Sequence, residues 1–329
     1  MSNRSIGIIG TGRALGSDVI TNAYLAAKLN VTDSWIQDRV GIRERRRATA
    51  DEFPSTLGVR AAKMALESAH LKASDLDAII CATVTPDYSQ MPSTACLIQA
   101  ELGARTILAF DLSSACSGFV YSLEVAQKLI VAGSYKNILI VCVDLMTRFT
   151  DYNDPKTCVL FADGAGAVIV SSTEQGRGIL ATDLGSDGRM ADCLVTPAGG
   201  ARLPPSCETV REGLHVMKMR GRELFKAALA MMSQSASCVM EKLNLGVEDL
   251  DLVVPHQANQ RIIDALANRL GIPAERVFSN IQFIGNTGSA SIPIALDECA
   301  REGRVQPGDL VLTTAFGGGI TWGSALLRW

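Results

Sequence analysis

The chain has 329 residues, 47% of them hydrophobic, with 31 Lys and Arg against 34 Asp and Glu for a formal charge of −3. That balance argues against bulk nucleic-acid binding, and no apolar run reaches the roughly 18 residues of a membrane span. The N-terminus leads straight into a short strand pattern rather than a signal peptide, and the nine scattered cysteines, without a CxxC pair, read as free thiols of a reducing cytoplasm, with no disulfide framework and no metal site.

In chain order the pattern predicts strand 5–9, helix 57–71, strand 77–84, helix 93–102, strand 106–112, helix 118–132 and strands 137–143 and 165–171. Helix 220–243, strand 250–254, helices 259–270 and 291–302, and strands 309–315 and 321–327 follow. Such alternation predicts an α/β fold with buried sheets. Two stretches depart from it. Residues 30–53 read as a polar, arginine-rich insertion, and residues 184–215 as a long irregular segment, which in a compact domain is more often functional than idle. Gly10-Thr-Gly12-Arg-Ala-Leu-Gly16 is not taken as a dinucleotide fingerprint, because its third glycine is one place late.

An internal repeat is visible. Ser74-Asp-Leu-Asp-Ala-Ile-Ile80 resembles Glu248-Asp-Leu-Asp-Leu-Val-Val254, an offset of 174 residues. At that offset Cys116 falls opposite Ala290, both in Gly/Ser-rich turns that open helices, and the strand after Tyr135 falls opposite the strand after Asp309. The reading is two similar halves, 1–174 and 175–329, with a site at their junction that draws on both.

Three positions carry nucleophile chemistry. Cys116, in Ser114-Ala-Cys116-Ser-Gly118, sits in a strand-to-helix turn, where the positive helix end is expected to lower the thiol pKa from about 8.5; Cys81 and Cys142, inside apolar strands, read as structural. Of only three histidines, His256 alone ends an apolar strand, where α/β sites gather. His70 and His215 read as structural. Asn286 lies in Gly285-Asn286-Thr-Gly288, ordinary turn chemistry that its matching place in the second half turns into a candidate. Gly317-Gly318-Gly319 after a strand is either a plain hairpin or a backbone that presents N–H groups to an oxyanion. Trp35 to Arg47, with five arginines, is either a solvated face or a holder for a phosphate-bearing ligand that stacks on a base.

With these residues the chain closely resembles β-ketoacyl-acyl carrier protein synthase III, a thiolase-superfamily condensing enzyme, over essentially its whole length. The resemblance rests on Trp35 through Arg45, Ser114–Gly118, Asp163-Gly-Ala-Gly166, Pro255-His-Gln-Ala-Asn259, Gly285-Asn286 and Gly317-Gly-Gly-Ile-Thr-Trp-Gly323. It implies a thiolase-like duplicated α/β/α/β/α layered fold, a homodimer, and no cofactor beyond a coenzyme A thioester as substrate. It implies that Cys116 is acylated by an acyl-coenzyme A and that His256 and Asn286 stabilise the enolate formed when malonyl-acyl carrier protein loses carbon dioxide. The backbone N–H groups of Cys116 and Gly318 would form the oxyanion hole. Trp35 would stack on the coenzyme A adenine with Arg39 nearby, and Lys226 and Arg261 would dock the acyl carrier protein. Two positions depart from the family pattern: Asp154-Pro155-Lys156 stands where an adenine-contacting arginine is frequent, and Met91, expected in the partner subunit's acyl pocket, stands where an aromatic residue is common. Competing readings are a starter condensing enzyme of secondary metabolism, a catalytically silent binding subunit, and a cysteine hydrolase.

Overall fold

The structure, a computed structural model, describes residues 5–329. The chain begins β1 (Ser5–Leu15), β2 (Asp18–Thr21), α1 (Asn22–Leu29), α2 (Asp33–Val40), β3 (Glu44–Arg47), α3 (Pro54–Ser68), β4 (Ala78–Ala82), α4 (Thr94–Glu101), β5 (Leu108–Leu112), α5 (Gly118–Val131), β6 (Ile138–Leu145) and β7 (Asp163–Thr173). It continues β8 (Gly178–Ser186), β9 (Leu194–Val195), α6 (Cys207–Arg211), β10 (Lys218–Met219), α7 (Gly221–Glu241), β11 (Leu252–Pro255), α8 (Gln260–Leu270), α9 (Ile281–Ile284), α10 (Ser291–Arg301), β12 (Leu310–Gly317) and β13 (Thr321–Arg328).

Two mixed sheets form the frame. The first has the order β1-β7-β6-β4-β5, the second, read from its far edge, β8-β13-β12-β11. In both, the first two pairings are antiparallel and the third is parallel. A parallel bridge from Val253 to Val277 stands where β5 pairs with β4. The repeat seen in sequence is therefore a repeat of topology.

The strands read as continuous apolar runs because both sheet faces are covered. Along β6, Ile138, Ile140 and Cys142 join the core shared with α5, α10 and the second sheet. The alternate residues Leu139, Val141 and Val143 pack with Leu57, Ala61 and Ala65 of α3. Beyond the second sheet, Val239 and Met240 of α7 cover Val253, Leu312 and Leu326. The layers run helices, sheet, α5 with α10, sheet, helices. α10 lies mid-molecule and is buried almost all round, with its buried Asp297 paired to Arg13 and Arg301. Truncating a sealed side chain here, such as Leu123, to Ala would cost about 2–5 kcal/mol.

Several predicted bounds move. The first strand runs to Leu15 instead of ending at residue 9. A Cβ on Gly12 would collide with the Ala61 carbonyl oxygen, so this glycine-rich segment serves the close approach of α3 to β1. The region 30–53 holds α2 and β3, and β8 reaches Ser186, into the stretch read as irregular.

Candidate active site

Cys116 stands in a tight turn, residues 115–117, between the end of β5 and the start of α5. Ala115 has φ +50°, a conformation uncommon for a residue with a side chain. The turn is held from below: the Ser117 and Thr321 hydroxyls reach the Ser114 carbonyl at 2.7 and 2.8 Å. Cys116 is only 7% exposed. Burial pushes its thiol up to about 12, the Asp144 carboxylate adds to this, and its backbone N–H works the other way. Desolvation thus outweighs the expected lowering by the helix end and favours the protonated thiol at Cys116.

His256 directly follows β11, and its backbone N–H donates to Thr314 O at 2.8 Å, extending the ladder to β12 by one residue. Its Nδ1 lies 2.6 Å from Ser291 Oγ in the first turn of α10. The residue is 2% exposed, and burial pulls its pKa down to about 3, so the imidazole is neutral. Next to it, the buried Gln257 amide donates to Pro255 O at 2.7 Å and fixes the turn.

Asn286 is anchored through its backbone to the segment before β7: its N–H donates to Leu160 O at 3.0 Å, and its carbonyl accepts from Ala162 N at 2.8 Å. Its Oδ1 accepts from Gly288 N at 3.0 Å, so the amide nitrogen is the group left for the cavity, with only a long contact of 3.4 Å to Ala258 O. Gly288 has φ +61°, and a Cβ there would strike Asp144. Asp144, at the C-terminal end of β6, is fully buried and accepts from Ser289 N and Oγ at 2.8 and 2.7 Å and from Val84 N at 2.8 Å. It ties the turn that carries Asn286 to the first sheet. Sequence reasoning missed Asp144 and Ser291; the available signal for Asp144 was a carboxylate at the end of an otherwise apolar strand.

Cys116, His256, Asn286, Gly317 and Gly318 open on one cavity of about 880 Å³. Exposed Arg39, Lys156, Lys226 and Arg261 also line it. α2 and α8 meet at this rim: the Asn259 side chain accepts from Arg261 N at 2.8 Å and donates to Arg39 O at 3.3 Å. Trp35 is not among the lining residues, but the Arg39 guanidinium lies over its ring at 4.5 Å. Met91 is 78% exposed and lies outside this cavity.

The arginine-rich segment is not one ligand-holding cluster. Arg45 is wholly buried and donates to Ile20 O, Asn22 Oδ1 and Val159 O. Arg47 pairs with Asp18 at 3.0 Å, and Arg43 lies over Phe283. Of these arginines only Arg39 lines the cavity. Among the described residues no group of three or more His, Cys, Asp and Glu is placed to hold a metal ion.

The chain matches the family model of 3-oxoacyl-[acyl-carrier-protein (ACP)] synthase III over residues 110–188 and that of the family's C-terminal part over residues 240–329. It is 48% identical over 329 residues to a β-ketoacyl-[acyl-carrier-protein] synthase III of Symbiobacterium thermophilum, covering 100% of this chain and 99% of that one. It is 46% identical over 323 residues to the protein of the same name from Caldanaerobacter subterraneus subsp. tengcongensis, covering 98% and 97%. The crystal structure of 3-oxoacyl-[acyl-carrier-protein] synthase III from Aquifex aeolicus superposes with a TM-score of 0.91 at 46% identity, covering 99% of this chain and 100% of that one. With likeness of this degree along its whole length, in sequence and in structure, the chain belongs to the β-ketoacyl-[acyl-carrier-protein] synthase III family.

Proposed function

We propose that the chain catalyses the decarboxylative Claisen condensation of an acyl-coenzyme A primer with malonyl-acyl carrier protein, the step that initiates fatty acid synthesis. The observation that carries this is the convergence of Cys116, His256 and Asn286, from three distant chain segments, on one cavity beside Gly317 and Gly318. In the first half-reaction Cys116 Sγ attacks the thioester carbonyl, a carbon–sulfur bond forms, and coenzyme A leaves with the thiol proton. The backbone N–H groups of Cys116 and Gly318 hold the oxyanion of the tetrahedral intermediate. In the second, the carbon–carbon bond to the malonyl carboxylate breaks and carbon dioxide departs. The electron pair moves onto the thioester, whose oxygen takes hydrogen bonds from His256 and Asn286. The carbanion then attacks the acyl-cysteine carbonyl, and Cys116 leaves as the thiolate, which takes up a proton from solvent to restore the starting thiol. Two neutral donors suit this step, because they meet negative charge that appears only in the transition state.

The substrate contacts belong to the same reading. Arg39, stacked on Trp35, and Lys156 take the nucleotide end of coenzyme A. Arg261 and Arg222 sit in the first turns of α8 and α7, where the helix dipole disfavours cations. A cation kept there beside a cavity mouth supports a docking role, and with Lys226 it gives the acidic carrier protein its basic patch. The open β5 edge, with exposed Val84, Tyr88, Met91 and Leu108 near it, supports a homodimer in which Met91 reaches the partner's acyl pocket. The halves divide between β7 and β8, at residue 174. No described helix is long and apolar enough to cross a membrane. The test is product formation: β-ketoacyl-acyl carrier protein should appear only when acyl-coenzyme A and malonyl-acyl carrier protein are both supplied. Hydrolysis of either thioester in place of condensation would support the cysteine-hydrolase reading.

A further inference from the structure

Ser291 has no assigned part in this chemistry, yet its hydroxyl is 2.6 Å from His256 Nδ1 and both residues are only 2% exposed. A serine hydroxyl has one proton to give and two lone pairs to offer. Here one lone pair faces the Gln257 N–H at 3.3 Å. Among the described residues the hydroxyl has no hydrogen-bond acceptor other than Nδ1. If Nδ1 carried the ring proton, the Ser291 proton would be buried without an acceptor, which is costly. With the proton on Nε2, both groups behind the ring are satisfied: Ser291 donates to Nδ1 and accepts from Gln257.

Nε2, on the opposite edge of the ring, meets no partner among the described residues, and it is not sealed by its surroundings. Resting on the condensing-enzyme reading above, we propose that Ser291 is a positioning residue that fixes the tautomer of His256, so that Nε2–H is a permanent donor to the malonyl thioester oxygen. Asn286 follows the same logic. Its Oδ1 is occupied by the Gly288 N–H, which turns Nδ2–H into the cavity. Each side chain thus has its acceptor engaged from behind and its donor left for the enolate. A second consequence follows: Nε2 already bears a proton, so His256 does not take the thiol proton of Cys116 at that atom in the resting enzyme.

The test combines ¹⁵N NMR of histidine-labelled enzyme with the two half-reactions measured separately. Signals of His256 are assigned by their loss in His256→Ala. The wild type should show an unprotonated Nδ1 and a protonated Nε2. Ser291→Ala should mix the tautomers and slow malonyl-acyl carrier protein decarboxylation about 10-fold or more, short of the roughly 10²–10³ expected for removing a donor outright. Acylation of Cys116 by acyl-coenzyme A should stay nearly unchanged, and Ser291→Thr, which keeps the hydroxyl, should restore decarboxylation. A proton on Nδ1 in the wild type overturns the proposal even if Ser291→Ala does not fold, and so does an unaltered decarboxylation rate in a folded Ser291→Ala. If His256→Ala itself decarboxylates normally, the underlying reading of the site is what fails.

Discussion

Gly317 lies so close to the nucleophile turn that a Cβ on it would stand 2.7 Å from the backbone nitrogen of Cys116. That nitrogen is one of the two proposed oxyanion donors, and Gly318, next along the chain, is the other. The end of β12 and the start of α5 therefore set the spacing of the proposed oxyanion hole, and only a glycine permits it. The Thr321 hydroxyl, on the returning strand β13, reaches the Ser114 carbonyl at 2.8 Å and holds the two segments together.

Gly317→Ala should accordingly injure catalysis far more than folding. Condensation should fall by about 10²-fold or more, the loss expected when one oxyanion donor is displaced. The overpacking itself should cost about 1–3 kcal/mol of stability. Steady-state kinetics with a urea unfolding curve separates the two; activity near that of the wild type would show that this backbone does not shape the hole.

His256→Ala and Asn286→Ala should each slow malonyl decarboxylation by about 10²–10³. Acylation should suffer less in both, because its oxyanion is held by backbone groups. Release of labelled carbon dioxide and mass spectrometry of the acyl-enzyme measure the two steps. Equal losses in both steps would contradict this division of labour.

The buried neutral imidazole has a consequence for stability. His256 in the folded chain takes a proton only near pH 3, whereas in the unfolded chain it does so near pH 6.5. Below about pH 6.5 the unfolded state binds more protons, so this group's contribution falls as pH falls through that window and is fully present above it. Its slope approaches about 1.4 kcal/mol per pH unit. Between about pH 6 and pH 4 the wild type should lose stability faster than His256→Asn, read from urea unfolding at each pH. Parallel curves would show that His256 is not held neutral by burial.

Much of this candidate site was legible from sequence because polar groups at strand ends and helix-opening turns break apolar patterns. Cys116, His256 and Asn286 each do so, and the repeat at offset 174 showed that they could meet. The residues behind them were not legible. Asp144 and Ser291 look like ordinary polar residues at element ends, and only the tertiary fold brings them within 3 Å of Ser289 and His256. Arg45 misled for the converse reason: a charged residue among arginines reads as solvated, yet it is sealed by three hydrogen-bond acceptors. The strands β2 and β3 have four residues each, too few for a period to show. β8 escaped because most of its residues are half-buried, with no clean alternation.

The rim cations give a separable effect. Lys226→Glu and Arg261→Glu should raise the KM for malonyl-acyl carrier protein, more at low salt than at high salt because screening weakens the attraction. The KM for acyl-coenzyme A should change much less. Kinetics with each substrate varied in turn checks this; an unchanged carrier-protein KM at low ionic strength would place the docking face elsewhere.

Cys116 is proposed to carry the primer between the half-reactions. The direct measurement is mass spectrometry of the intact enzyme and its peptides after mixing with acetyl-, butyryl- and longer acyl-coenzymes A, followed by malonyl-acyl carrier protein. One acyl group should appear on the peptide containing Cys116 and be lost on addition of malonyl-acyl carrier protein as β-ketoacyl product forms. Cys116→Ala should show no adduct and no condensation, and Cys116→Ser no condensation, since an alkoxide is much harder to form than a thiolate. An acyl group on another residue, or condensation by Cys116→Ala near the wild-type rate, would contradict it.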